Sequence, residues 1–126
     1  MQIVPIREGQ KAVIVALKDA KGNCQVLDFL QQISVPDRKK VFFLFDSICI
    51  HGVLQNTEKF KKEKEHIWTF KSYQIRILCF LAPNARQRTY VLTHAFLKKK
   101  NKMDDSELKK AERLFEEYSR KDYHNE

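Results

Sequence analysis

The segment that most narrows the possible folds lies between Tyr73 and Leu97. Two stretches there, YQIRILCFL (73–81) and TYVLTHAFL (89–97), flank the turn signal Ala82-Pro83-Asn84-Ala85. In the first, Tyr73, Ile75, Ile77, Cys79 and Leu81 alternate with Gln74, Arg76, Leu78 and Phe80. A two-residue period marks a strand, and a Pro-Asn turn between two such runs joins them back to back. The aromatic run IWTF (67–70) precedes them closely, so the three are expected to form an antiparallel meander. The rest of the chain must cover that sheet.

The cover is readable in part. QKAVIVALK (10–18) predicts another strand, followed by a turn over residues 19–23. Asn23 is placed to cap a helix over 24–33, where Val26, Leu27, Leu30 and Ile33 fall at helical spacing. Ser34-Val35-Pro36-Asp37 ends that helix and starts a second, with Pro36 near its first turn and His51-Gly52 as its stop. Val41, Phe42, Leu44, Phe45, Ile48 and Cys49 give the second helix a broad apolar face. The polar, mixed-charge QNTEKFKKEKEH (55–66) reads as a loop. MDDSELKKAERLFEEYSRK (103–121) predicts a last helix, with Asp104 or Asp105 as cap, Glu107 closing a capping box, and an apolar stripe of Leu108, Ala111, Leu114, Phe115 and Tyr118. The expected fold is a single α+β domain over residues 1–126. Its small antiparallel sheet is flanked by an N-terminal helical hairpin and a C-terminal helix. A chain of 126 residues, 43% hydrophobic with nine Phe, can build one such core.

Several function classes drop out. AVIVAL (12–17) is too short to cross a bilayer, and MQIVPIREGQK lacks the basic, apolar and small-residue order of a signal peptide. No membrane association is expected, and the expected location is cytoplasmic. Cys24, Cys49 and Cys79 are scattered, which argues against a disulfide framework. His51, His66, His94 and His124 show no paired ligand spacing, and there is no P-loop or GxGxxG, so neither metal nor cofactor is expected.

Charge gives the first functional pointer. The formal net charge is +8, from 24 Lys+Arg against 16 Asp+Glu. Residues 71–102 hold Lys71, Arg76, Arg86, Arg88, Lys98, Lys99, Lys100 and Lys102 and no acid, so the remaining 16 bases balance the 16 acids. All of the excess sits in one continuous segment. Such a field attracts polyanions: RNA, DNA, a ribosome or an acidic protein.

Three stretches carry a family resemblance. They are the helix pair ending at His51-Gly52 with its Lys-rich loop, IWTFKSYQIRILCF (67–80), and VLTHAFLKKKNKMDDSELKKAERLFEEY (91–118). Together, over roughly residues 24–118, they resemble the RelE/ParE toxin superfamily, most closely its HigB-type, phage-derived branch. That family has an apolar strand running into His-Gly-Phe, a variable residue and Lys-Lys, then a helix with Ala and Arg one turn in, here Ala111 and Arg113. Ala95 departs from the usual glycine and Asp104 from a frequent proline. The resemblance implies a toxin of a toxin–antitoxin pair that acts as a ribosome-dependent mRNA endoribonuclease. The implied partners are the ribosome, mRNA and a helix-turn-helix, HigA-like antitoxin. Two other outcomes stay open: a ParE-like toxin that inhibits gyrase, and a non-enzymatic phage or mobile-element binding protein.

Metal-independent RNA cleavage turns the substrate's 2′-hydroxyl on its own phosphate. A base takes the hydroxyl proton, cations stabilise the phosphorane, and an acid protonates the departing oxygen. Arg76, mid-strand, can hold two phosphate oxygens, or merely point to solvent. Lys98 and Lys99 leave the third strand where bases are densest and are expected to flank the phosphate with Arg76. Lys100 joins the RNA-binding set, although with Lys102 it also reads as a solvated strand end. His94 titrates in the useful range, but alternation puts it beside Phe96, so it is either an acid–base group or a packed structural histidine. Lys71 adds to the field. Tyr73 and Tyr90 can stack on a base or fill the core, and Trp68 reads as core. Arg86 and Arg88 lie in a hairpin turn with reach for ribosomal RNA. His124, in Asp122-Tyr123-His124, matches a C-terminal tripeptide of some HigB toxins, which implies an acid–base pair. Lys61, Lys62 and Lys64, diluted by Glu63 and Glu65, read as a solvated loop within reach of RNA.

Overall fold

In the computed structural model, which describes residues 2–121, six strands form one mostly antiparallel sheet with helices on both faces. The elements are β1 (Gln2–Glu8), β2 (Val13–Lys18), α1 (Gln25–Gln32), α2 (Val35–His51), β3 (Phe60–Lys62), β4 (Trp68–Ser72), β5 (Ile75–Leu81), β6 (Thr89–Leu97) and α3 (Asp105–Lys121). The sheet order is β1-β2-β6-β5-β4-β3. The expected meander is present as β4-β5-β6, and β6 has the bounds the alternation gave. Among the described residues only the β2–β6 pair is parallel.

Two strands carry no signal in the sequence pattern. β1 pairs antiparallel with β2, with a register irregularity between Pro5 and Arg7. Its side chains are mostly exposed, so no alternating apolar signal marks it, and Pro5 is tolerated because the strand is at the edge. β3 lies inside the stretch read as a loop. Only Phe60 of its three residues is buried, and that ring stacks on Trp68 at 4.9 Å between centroids.

The sheet buries both faces, and β5 shows it best. Ile75, Ile77 and Cys79 join the core under α1 and α2, with Val26, Leu30, Phe45 and Ile48. Leu78 and Phe80 join the core under α3, with Leu108 and Ala111, while Leu114, Phe115 and Tyr118 pack on its margin. The alternation in YQIRILCFL therefore separates two apolar cores rather than core from solvent. Cys79 is fully buried, and burial raises its thiol far above the ordinary value, in keeping with a packing role.

Local signals hold at some caps and fail at others. Ser34 caps α2, accepting from the Asp37 N–H at 3.2 Å, and Gly52 closes it in the left-handed conformation (φ 86°). Asn23 does not cap α1. Its amide is held by Asp19, whose carboxylate accepts from the backbone N–H of Lys21 and Asn23, each at 2.9 Å. The far end of α1 is closed from outside: the Arg38 guanidinium donates to the carbonyls of Leu30, Gln31 and Ile33. The capping box at α3 is also absent. Asp104 accepts from Ser106, whereas the Glu107 carboxylate turns to His94 at 2.8 Å.

Two long-range contacts fix β6 and β2. Beyond Leu92, β6 has no β2 partner, and the Gln25 side-chain amide takes that place by accepting from Ala95 N–H at 2.7 Å and donating to Ala95 O at 2.8 Å. The loop before β2 sits on the end of α2, where Lys11 and Ala12 both donate to Cys49 O. A Cβ on Gly9 would lie 2.6 Å from that same carbonyl oxygen. Gly9→Ala is therefore expected to lower stability by about 1–3 kcal/mol, read as a lower urea midpoint with an unchanged slope.

Candidate phosphate-binding site

The bases of the 71–102 segment do not form one face. Arg86 and Arg88 stand just before β6, and Lys98 just after it. A strand of this length separates its ends by roughly 26 Å. Arg88 is engaged: its Nε donates to Tyr90 Oη at 2.9 Å, and Tyr90 Oη donates to Gly52 O at 2.7 Å. Tyr90 is buried, so it is core and not a stacking surface. Arg86 is exposed in the β5–β6 turn.

The remaining bases converge at the other end of the sheet. Lys71 on β4 is directly opposite Arg76 on β5, and Arg76 is opposite Phe96 on β6. Arg76 is the second residue of its strand, not the middle one, so it sits beside the β4–β5 turn. The Lys98 backbone N–H donates to Gln74 O at 2.7 Å, which brings the start of the β6–α3 connection to that turn. A cleft of about 500 Å³ follows, lined by four lysines (Lys98, Lys99, Lys100 and Lys102) and two acids (Asp104 and Glu107) among others. Lys98 is half-buried, and Lys99, Lys100 and Lys102 are exposed.

Arg76 carries the most informative geometry. It is 9% exposed, and its Nη1 donates to Ile75 O at 2.9 Å and to Tyr73 O. Among the described residues no carboxylate lies within ion-pair distance of it. Buried charges are ordinarily paired, because desolvating a lone ion costs several kcal/mol. Burial lowers the Arg76 pKa, and the field of Glu63 acts in the opposite sense. The ion stays charged at neutral pH, held by two carbonyls.

Lys71 belongs to the same cluster. Burial first, then the charges of Arg76, Lys61 and Lys98, hold its ammonium below the ordinary lysine value, against the pull of Glu63. Its Nζ donates to Thr57 O at 3.5 Å. Four cations thus share one field with Glu63 as the nearby acid. The pairing of β3 with β4 carries Lys61 here, and Glu63 follows directly after β3, its N–H donating to Ile67 O at 2.8 Å.

His94 is buried. Its Nε2 meets Glu107 Oε1 at 2.8 Å, and its Nδ1 meets Thr93 Oγ1 at 3.1 Å. Burial lowers its pKa, with the Glu107 hydrogen bond opposing and the Lys110 charge adding to the fall. A neutral ring facing a carboxylate carries its proton on Nε2, and the Thr93 hydroxyl sits between His94 Nδ1 and Leu78 O, to which it donates at 3.2 Å. The register of β5 with β6 shifts between Leu78 and Cys79, leaving Thr93 as the extra residue and turning His94 to the α3 side. Glu107 was missed as the partner of His94 because the two are 13 residues apart and meet only through the fold. Tyr73 is not in a strand: it occupies the β4–β5 turn, 71% exposed, with φ 54°. His124, with Asp122 and Tyr123, lies outside the described residues.

A model of the family described as "Phage derived protein Gp49-like (DUF891)" matches residues 28–116. The chain belongs to this family. The Gp49-like family is a phage-derived group related to the toxins of toxin–antitoxin pairs. The matched span runs from α1 into α3 and contains Lys71, Arg76, His94, Lys98 and Glu107, while β1 and β2 lie outside it. No curated protein matches the chain. Among the described residues, no helix is long and apolar enough to cross a membrane, and no three His, Cys, Asp or Glu side chains group in a way that could hold a metal ion.

Proposed function

We propose that this Gp49-like protein is the toxin of a toxin–antitoxin pair and cuts mRNA on the ribosome in the manner of the HigB-type branch. The observation that carries this is the buried Arg76 cation, held by carbonyls and flanked by Lys71 and Lys98. A phosphodiester supplies the missing negative charge, and Arg76 offers its remaining N–H groups to two of its oxygens. In the reaction the 2′-oxygen loses its proton and attacks phosphorus. The bond to the 5′-oxygen breaks, that oxygen takes up a proton, and a cyclic phosphate and a 5′-hydroxyl result. The fixed cations act where charge gathers in the phosphorane.

Lys71 is the acid–base candidate this geometry favours. An ammonium whose pKa is lowered by burial and by neighbouring cations exchanges its proton more readily near neutral pH. His94 is covered and committed to Glu107 and Thr93, so it serves better as a support for β6 and α3. Lys99 and Lys100 widen the positive cleft toward the substrate strand. The HigA-like antitoxin would cover this basic end.

The test is primer-extension mapping of mRNA in a translation reaction, with and without the protein. Cuts that require ribosomes are expected. Intact mRNA would remove the endonuclease assignment, and a gyrase supercoiling assay would then decide for the ParE-like alternative. Lys71→Arg keeps the charge but cannot exchange a proton, so cleavage is expected to fall about 10²-fold with RNA affinity nearly unchanged. Equal loss of both would make Lys71 a binding residue only.

A further inference from the structure

Beside the β4–β5 turn lies a groove of about 530 Å³ whose lining includes Lys39, Lys40 and Phe43 of α2, Leu54, Lys59 and Tyr73, and no acidic side chain. Phe43 and Tyr73 are each 71% exposed. Lys40 Nζ lies 4.4 Å above the Tyr73 ring and 3.4 Å from its hydroxyl oxygen, a cation–π contact on the exposed surface.

Folding does not call for an aromatic residue at this turn. Tyr73 has a left-handed backbone (φ 54°), a conformation glycine adopts freely and a bulky side chain adopts under strain. Such strain clusters where a residue serves a ligand. The same residue's carbonyl fixes Arg76. The turn thus joins the groove to the phosphate cluster.

We propose that this groove is a single-stranded RNA subsite in which unpaired bases stack on Tyr73 and Phe43 while Lys39, Lys40 and Lys59 meet the flanking phosphates. The proposal rests on Arg76 being an RNA phosphate site, because a strand held there, on the α3 side of the sheet, passes over the β4–β5 turn to reach the groove on the α2 side. Exposed rings interleaved with lysines are the usual platform for single strands. An acidic helical peptide fits less well. It needs a continuous apolar stripe, whereas Phe43 and Tyr73 come from separate elements with Ser47, Asn56 and Ser72 around them.

The experiment is fluorescence anisotropy of the full chain with a labelled single-stranded oligouridylate and with an RNA duplex, over a range of salt. Tyr73→Gly relieves the backbone strain, so its melting temperature is expected to be unchanged or higher. Its single-strand affinity is expected to fall roughly 5- to 150-fold with the salt dependence unaltered, and its duplex affinity to stay constant. Phe43→Ala, on an exposed helix surface, should show the same selectivity. Lys40→Ala should weaken both RNAs and flatten the salt dependence. Single-strand affinity unchanged in both Tyr73→Gly and Phe43→Ala would overturn the proposal, as would equal losses on single strand and duplex. Polyglutamate binding that needs Lys40, without RNA binding, would overturn it in favour of a protein partner. Failure of the phosphate assignment reads separately, as Arg76→Ala leaving affinity for both RNAs intact.

Discussion

Arg76→Ala is expected to reduce ribosome-dependent mRNA cleavage by roughly 10²–10³-fold, the usual cost of removing one preorganised group from a charge-stabilising site. Stability is expected to move the other way or not at all. Arg76 is a 9% exposed cation without a carboxylate within ion-pair distance among the described residues. Removing such an ion relieves a desolvation cost, which offsets the lost packing of its stem and the hydrogen bonds to Tyr73 O and Ile75 O. The pairing of low activity with a preserved urea midpoint separates a functional residue from a structural one. Arg76→Lys should recover little. An ammonium retains the charge but lacks the planar fork that can hold carbonyls on one side and phosphate oxygens on the other. Cleavage by Arg76→Ala at the wild-type rate would exclude the cluster as the catalytic centre. A collapsed urea midpoint would instead show that the buried guanidinium is needed for the fold.

How far the sequence discloses this site follows from the range of each interaction. The period of YQIRILCFL and TYVLTHAFL is set by neighbours along the chain, so β5 and β6 are legible, as are the start of α2 at Ser34-Val35-Pro36-Asp37, its stop at Gly52 and the stripe of α3. The failures are long-range. Asn23 has the chemistry of a cap, but Asp19 reaches its amide first. Glu107 has the spacing of a capping box, yet a buried imidazole from β6 takes its carboxylate. β3 is visible only once β4 is in place to receive Phe60. The basic segment teaches the same point about charge. The eight bases of one acid-free segment divide between opposite ends of β6, and Lys61 and Glu63, outside the segment, enter the cluster. The register shift at Thr93 has no local signature, yet it decides which face His94 takes.

That face gives the second large effect. Glu107→Leu is expected to cost about 2 kcal/mol of stability, because it leaves the Nε2–H of a buried histidine without an acceptor. Glu107→Gln keeps an acceptor oxygen in place and should recover most of the loss at neutral pH. The two variants should diverge from wild type as the pH falls. Burial holds the His94 pKa below its ordinary value. The unfolded chain therefore takes up the His94 proton before the folded one does, and in that interval it binds more protons. Stability from this group is present above about pH 6.5 and is lost as pH falls through the folded value. Glu107 favours the charged ring, so it limits that loss. Without the carboxylate the folded pKa drops further, and Glu107→Gln should lose stability over a wider acid range than wild type while matching it above neutrality. Urea midpoints between pH 5 and 8 provide the check. Parallel curves for wild type and Glu107→Gln would mean that His94 does not titrate against Glu107. Cleavage by Glu107→Gln at neutral pH should remain near wild type, since His94 acts by fixing β6 to α3 and Lys98 keeps its bond to Gln74. A large loss of cleavage with stability intact would instead move His94 and Glu107 from support into the chemistry.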